Sequence, residues 1–339
     1  MSTAEPEKKL LLFIIGLCLD MIKKLDIMKF QPVLKSLPWG GRKLASLLNK
    51  TLPDDAPYGE SWEIVDLPSV QSIVNKGPWQ GASLASIVKE QPQALMGNSK
   101  LSQGRFPLLF KFIDANDTLS VQVHPDEAAC KKLGGGARPK TEAWFILHAE
   151  PGAKLYLGLQ PGVAPQAFEA ALQTGKVEEL LKTVEVKPGD FYFIPAGLVH
   201  AIGKGIVLAE IQQVSDTTYR VFDWNRVGLD GKPRQLHIKQ ALASIKFDLQ
   251  PVLGQTKITC PYFSFEQVRI SAEKSFAINP GRPKIIASIR GTCHCEPQSG
   301  VAIQDDKTVL TLGETCLIPA SVSGTIIAEK QSELLLIKA

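Results

Sequence analysis

Gln122-Val123-His124, Lys140-Thr141-Glu142 and Pro195-Ala196-Gly197-Leu198-Val199-His200 contain the side chains of a metal site. Two imidazoles, a carboxylate and an amide oxygen suit a borderline divalent ion such as zinc, and three or four protein ligands leave a position open for water or substrate. An open position is the mark of a catalytic centre. Gln122 is the weakest member of the set, because a hydrogen bond to a neighbouring ligand would explain it equally well.

Side-chain parity says how these residues can meet. In Leu119-Ser-Val-Gln-Val-His124 apolar and polar residues alternate, so a strand here turns Ser120, Gln122 and His124 to one face. Lys140 and Glu142 share a face in the same way. His200 follows Lys187-Pro-Gly-Asp190 and the apolar run Phe191 to Ile194, a turn leading into a buried strand with a tight exit. Strands of a small barrel can bring all of these to one ion. His148, His237 and His294 lack such a setting and are expected to be surface or hydrogen-bonded histidines.

The remainder of the chain must position that site. At 339 residues it is long enough for two or three units, each with its own core, and its net charge of +4 does not suggest nucleic-acid binding. The six cysteines form no CxxC framework, so free thiols in a reducing, cytoplasmic setting are expected. On a strand, Cys293 and Cys295 face away from His294, which argues against a second metal site there. Residues 1–27 carry Lys8-Lys9 and the apolar run Leu10 to Leu19. The run is too short to span a membrane and shows no cleavage signal, so these residues are set apart as an extension outside the fold, with no stable membrane insertion.

From Met28 the pattern is mainly β. Leu84 to Gln91 reads as a short helix capped by Ser83 and stopped by Pro92, and a helical insertion broken near Gly175 is expected over about 165–183. Pro188-Gly-Asp-Phe-Tyr-Phe-Ile-Pro-Ala196 is echoed by Leu312-Gly-Glu-Thr-Cys-Leu-Ile-Pro-Ala320, but no histidine follows the second copy. Two jelly-roll β-barrels are therefore expected: a catalytic one over 28–245 and a degenerate one, without metal, over 246–339.

Six segments in order resemble the type I, cupin-type mannose-6-phosphate isomerases: Trp39-Gly-Gly41, Gly59-Glu-Ser-Trp-Glu63, Leu119 to Asp126, Lys140 to Trp144, Pro195 to His200, and Glu210 to Asp216 continuing into Tyr219-Arg-Val-Phe-Asp-Trp-Asn-Arg226. The short spacing from Glu142 to His200 is similar to the compact bacterial branch. The resemblance implies a zinc-dependent aldose-ketose isomerase acting on mannose 6-phosphate and fructose 6-phosphate, with a hexose phosphate as its small-molecule partner. It implies His124, Glu142 and His200 as metal ligands, with Gln122 as a fourth, one zinc per chain, and Arg220 as the catalytic arginine.

The residues themselves suit that chemistry. An aldose becomes a ketose when a proton leaves the carbon beside the carbonyl and returns to its neighbour, through an enediol whose oxygen carries negative charge. A metal and an arginine can stabilise that charge. Arg220 could instead be an ion-pair partner of Asp216 or Asp223. Glu210 is a candidate base, since parity separates it from Val207, Ala209 and Ile211, though a buried structural carboxylate is an even alternative. Lys140 could meet the phosphate or assist ring opening, and Ser120 and Lys111 are further phosphate candidates. Two rivals share the ligand set: a non-haem metal oxygenase, and a non-catalytic sugar-phosphate-binding cupin.

Overall fold

Antiparallel strands built from the alternating segments form two pairs of facing sheets. The computed structural model describes residues 24–228, 230–297 and 307–339, so most of the expected N-terminal extension, residues 1–23, lies outside the described residues.

The first pair carries the candidate site. Its six-stranded sheet runs Phe191–Ile194, Glu142–Ala149, Ile206–Gln213, Leu108–Ala115, Tyr58–Ile64, Val33–Gly41. Opposite it, a five-stranded sheet runs Leu181–Glu185, Lys154–Leu159, His200–Ile202, Val121–Val123, Tyr219–Phe222. Ile113, Trp144, Tyr192 and Leu208 from the first sheet pack against Leu155, Leu157 and Ile202 from the second. This is the layered jelly-roll form expected from the sequence, mainly β with short helices.

The second pair follows the same plan. Met28–Lys29, Thr315–Ile318, Lys284–Arg290, Ser332–Lys338, Ser264–Ile270 and Lys257–Thr259 form one sheet; Ser275–Ile278, Gly324–Ala328, Cys293–Pro297 and Thr308–Leu310 form the other. Cys293, Cys295 and Cys316 lie in the core between them, and the five cysteines among the described residues are free. His294 points the other way, to Glu296 and Glu329, as parity requires.

The two units share a core. Phe110, Phe112, Phe145, Val207, Ala209 and Ile211 on the outer face of the six-stranded catalytic sheet join Phe265, Ile285, Leu317 and Ile337 of the C-terminal sheet. The central strands are therefore buried on both faces, and every residue of Leu108–Ala115 is buried. The earliest described strand also crosses over: Met28 and Lys29 pair with Leu317 and Cys316. Just before it, Leu25 and Ile27 are buried, and Trp79 Nε1 donates to Lys24 O at 3.2 Å. Residues 24–27, expected to belong to a separate extension, thus pack on the fold, because Leu25 and Ile27 are apolar enough to join the cores.

Local signals read from sequence have visible physical causes. The helix Leu84–Glu90 starts at Ser83, whose Oγ accepts the Ser86 N–H at 3.1 Å. Pro92 does more than stop it, because it opens a further turn, Pro92–Met96. The insertion is an α-helix over Pro165–Thr174, broken at Gly175 in the left-handed conformation that suits glycine, and resumes as one 3-10 turn over Val177–Leu180. After the short turn Val177–Leu180, the segment Leu181–Glu185 is an edge strand paired with Lys154–Leu159, which corrects the helical expectation to 183. From Lys182 half-buried and exposed residues alternate with period two, and the open edge of the five-stranded sheet claims them. Among the described residues no helix is long and apolar enough to cross a membrane.

Candidate metal centre

His124, Glu142 and His200 reach one point from three elements. Glu142 is the first residue of its strand, His200 begins another, and His124 follows directly on Val121–Val123. The turn before His200 is tied to the His124 segment. Gly197, at φ +94°, donates its N–H to His124 O at 2.8 Å, and a side chain at that φ would be strained. The three ligand groups lie within 4.8 Å of one another, and all three residues are buried.

Backbone carbonyls orient both imidazoles. His124 Nδ1 lies 3.1 Å from Thr217 O, and His200 Nδ1 lies 2.9 Å from Leu198 O. A proton on each Nδ1 leaves the Nε2 lone pair facing inward, the arrangement that fixes a metal-binding tautomer. Those lone pairs face the carboxylate: His124 Nε2 is 3.2 Å from Glu142 Oε2, and His200 Nε2 is 3.3 Å from Glu142 Oε1. His124 Nε2 and Glu142 Oε1 are buried without a hydrogen-bond partner among the described residues. Lone pairs opposing a carboxylate repel unless a cation lies between them. Bonds of about 2.0–2.1 Å at a tetrahedral angle would place ligand atoms roughly 3.3 Å apart, so the donor set fits zinc. Gln122 turns its amide nitrogen, not its oxygen, to the site, with Nε2 3.3 Å from His200 Nε2, the hydrogen-bonding alternative for this residue.

The charge states agree with ligation. Burial and the neighbouring Lys140 cation push the His124 pKa down to about 3, and burial also lowers that of His200, so both imidazoles are neutral. Burial opposes ionisation of Glu142, but the Lys140 ammonium 2.8 Å from Oε2, together with the His124 and His200 rings, outweighs it and holds the carboxyl well below the usual carboxylate range.

Beside the triad lies a cavity of about 440 Å³. Lys111, Ser120, Gln122, Lys140, Glu210 and Arg220 all line it. Trp144 Nε1 donates to Glu210 Oε2 at 2.9 Å, and Glu210 Oε1 lies 3.1 Å from Lys111 Nζ and 4.0 Å from Lys140 Nζ. Burial and the Glu142 charge raise the Glu210 pKa, against the pull of the two lysines. Lys111 is itself buried and also 3.3 Å from Glu60; burial would lower its pKa, but Glu210 and Glu60 raise it. It is held between carboxylates rather than extended towards the open cavity.

Arg220 pairs across the ladder with Gln122, which pairs on its other side with His200, so the three side chains share one face. Arg220 Nε donates to Ser120 Oγ at 3.3 Å and Nη1 to Gln235 O at 2.8 Å. Asp223 is engaged by Arg226 and Arg234, leaving Arg220 facing the cavity. Sequence reasoning missed Trp144, Glu60 and the Thr217, Leu198 and Gln235 carbonyls. Carbonyls carry no side-chain signal, whereas Glu60 lies in a segment that had drawn attention without a role. The Gly134-Gly-Gly136 run follows the helix Glu127–Leu133 and forms a loop with positive φ at all three glycines.

The fold and site define a cupin-type enzyme with a His-Glu-His cluster able to hold a metal ion beside a cavity lined by Lys140 and Arg220. Residues 27–150 match the phosphomannose isomerase type I catalytic domain. The mannose-6-phosphate isomerase ManA of Bacillus subtilis is 36% identical over 272 residues, covering 77% of this chain and 84% of that protein. A crystal structure of the mannose 6-phosphate isomerase from Bacillus subtilis superposes with a TM-score of 0.83 at 28% identity, over 93% of this chain and 100% of that one. A mannose 6-phosphate isomerase bound with zinc and yttrium shares the fold at 18% identity and a TM-score of 0.68, over 93% of this chain and 99% of that one. The chain belongs to the type I mannose-6-phosphate isomerase family, and is an isomerase.

Proposed function

We propose that this enzyme interconverts mannose 6-phosphate and fructose 6-phosphate through an enediolate, with one zinc ion held by His124, Glu142 and His200 and Gln122 beside them. The observation that carries this reading is the inward-facing pair of imidazole lone pairs opposite Glu142, next to a cavity lined by Glu210, Lys140 and Arg220. Zinc, when bound, polarises and positions sugar oxygens.

The chain's own residues divide the remaining work. Glu210 takes the proton from the carbon beside the carbonyl and returns it to the neighbouring carbon. Trp144 and Lys111 fix the orientation of its carboxylate, and burial beside Glu142 raises its pKa, which makes the carboxylate a stronger base. Lys140, between Glu142 and Glu210, is placed to hand a proton to the ring oxygen as the sugar opens. Arg220 faces the developing negative charge with a planar, permanently charged group. On this reading Ser120 holds Arg220 and Lys111 holds Glu210, so neither is free to take the phosphate. Free thiols suit a reducing compartment, and we place the enzyme in the cytoplasm.

The test is anaerobic conversion of mannose 6-phosphate and its reversal from fructose 6-phosphate by zinc-loaded protein. Isomerisation moves a proton within one molecule and needs neither oxygen nor a redox cofactor. Turnover only in the presence of oxygen would favour an oxygenase, and tight sugar-phosphate binding without turnover a non-catalytic cupin.

A further inference from the structure

A second cavity, of about 890 Å³, opens at the junction of the catalytic and C-terminal units. It shares no lining residue with the cavity beside the metal centre. Four cations line it: Lys131 from the helix Glu127–Leu133, Arg138 from the loop leading to Lys140, Lys100 after Pro92–Met96, and Arg282 from the C-terminal unit. Glu127 is the acidic side chain among the lining residues. Among the described residues, no ion pair within 4.0 Å engages any of the four cations; the ion pairs near this wall, such as Lys246 with Asp126, leave them out.

Surface lysines without partners are ordinary, but Arg138 is not in that position. Its Nη1 is buried and has no hydrogen-bond partner. Its backbone is fixed from both sides: its N–H donates to Thr217 Oγ1 at 3.1 Å, and its carbonyl accepts from Ser215 Oγ at 3.1 Å. The loop bearing Arg282 is equally well anchored, since Asn98 N donates to Gly281 O at 2.9 Å and Gly281 N to Ala320 O at 2.7 Å. A buried guanidinium N–H left unsatisfied is costly, and the loss is recovered when an anion accepts from it. Two arginines from two backbone-anchored loops line one space, together with the exposed Lys100 and Lys131.

We propose that this interdomain cavity is a binding site for a small polyanion, a metabolite bearing two or more phosphates, distinct from the substrate cavity. Arg138 and Arg282 supply directional hydrogen bonds, and Lys100 and Lys131 supply charge.

The test uses fructose 1,6-bisphosphate as the probe, titrated calorimetrically into the zinc-loaded Arg220→Ala chain, in which the substrate cavity has lost its arginine. One equivalent should still bind. Adding Arg138→Gln with Arg282→Gln should weaken that binding by about tenfold or more. Adding Lys100→Ala with Lys131→Ala instead, at exposed positions where no structural contact is lost, should weaken it in the same direction. No binding at millimolar probe, or an affinity unchanged in both multiple variants, would overturn the proposal.

Discussion

Lys284 holds in the C-terminal unit the ladder position that Glu142 holds in the catalytic unit. Ile194 pairs with Glu142 and Ile318 with Lys284, each at the start of its strand and each followed, one residue beyond the isoleucine, by the Pro-Ala of the repeated segment. Carrying the repeat forward, Gly324 stands where His200 stands. The second unit thus puts a cation and a missing side chain where the first puts a carboxylate and an imidazole, and Lys284 Nζ is taken up by the Arg282 carbonyl at 2.9 Å.

One zinc per chain is the stoichiometry expected on the proposed reading. Elemental analysis of purified protein should give a single tightly held ion, and His200→Ala should lower occupancy and activity together. Two tightly held ions per chain would contradict the arrangement.

Arg220→Lys should fold and keep zinc yet lose about 10²-fold or more in kcat. A point ammonium reaches neither Ser120 Oγ nor Gln235 O in the geometry of the guanidinium, and so cannot be aimed at the reacting atoms. Steady-state kinetics with metal analysis check this; near-normal turnover in a folded Arg220→Ala protein would assign Arg220 a structural role instead.

Asp223 links stability to pH. Burial would raise its pKa, but hydrogen bonds from Arg234 and Arg226 outweigh this and lower it. A carboxylate with a depressed folded pKa contributes stability above its unfolded pKa of about 3.9, and that contribution is lost as pH falls through the folded value. Asp223→Asn should therefore cost on the order of 1–3 kcal/mol near neutral pH, and the gap from the parent should close below about pH 4. Denaturant melts at several pH values measure it; a gap that widens in acid would show that the pair is not the cause.

The start of the fold can be tested by truncation. Leu25 and Ile27 are buried, and burying such side chains contributes about 1.5–3 kcal/mol each. A chain starting at Met28 should melt several degrees below one starting at Lys24, while both bind zinc and isomerise substrate. Equal melting temperatures would return residues 24–27 to the extension.

The sequence by itself determined the candidate ligand types and which of them share a strand face, because parity along Ser120 to His124 and the turn ahead of His200 are local properties that need no partner strand. It determined the Ser83 cap and the glycine stop at 175 for the same reason. The tertiary structure decided what depends on long-range register. Met28–Lys29 joins the last sheet of the chain, Leu181–Glu185 extends an edge rather than a helix, and the central strands are buried on both faces. It also decided the roles within the site. Lys111 reads as a free cation until Glu60 and Glu210 close on it, and the carbonyls of Thr217 and Leu198 that set both imidazole tautomers are identical in covalent structure to every other carbonyl in the chain. Only their positions in space distinguish them.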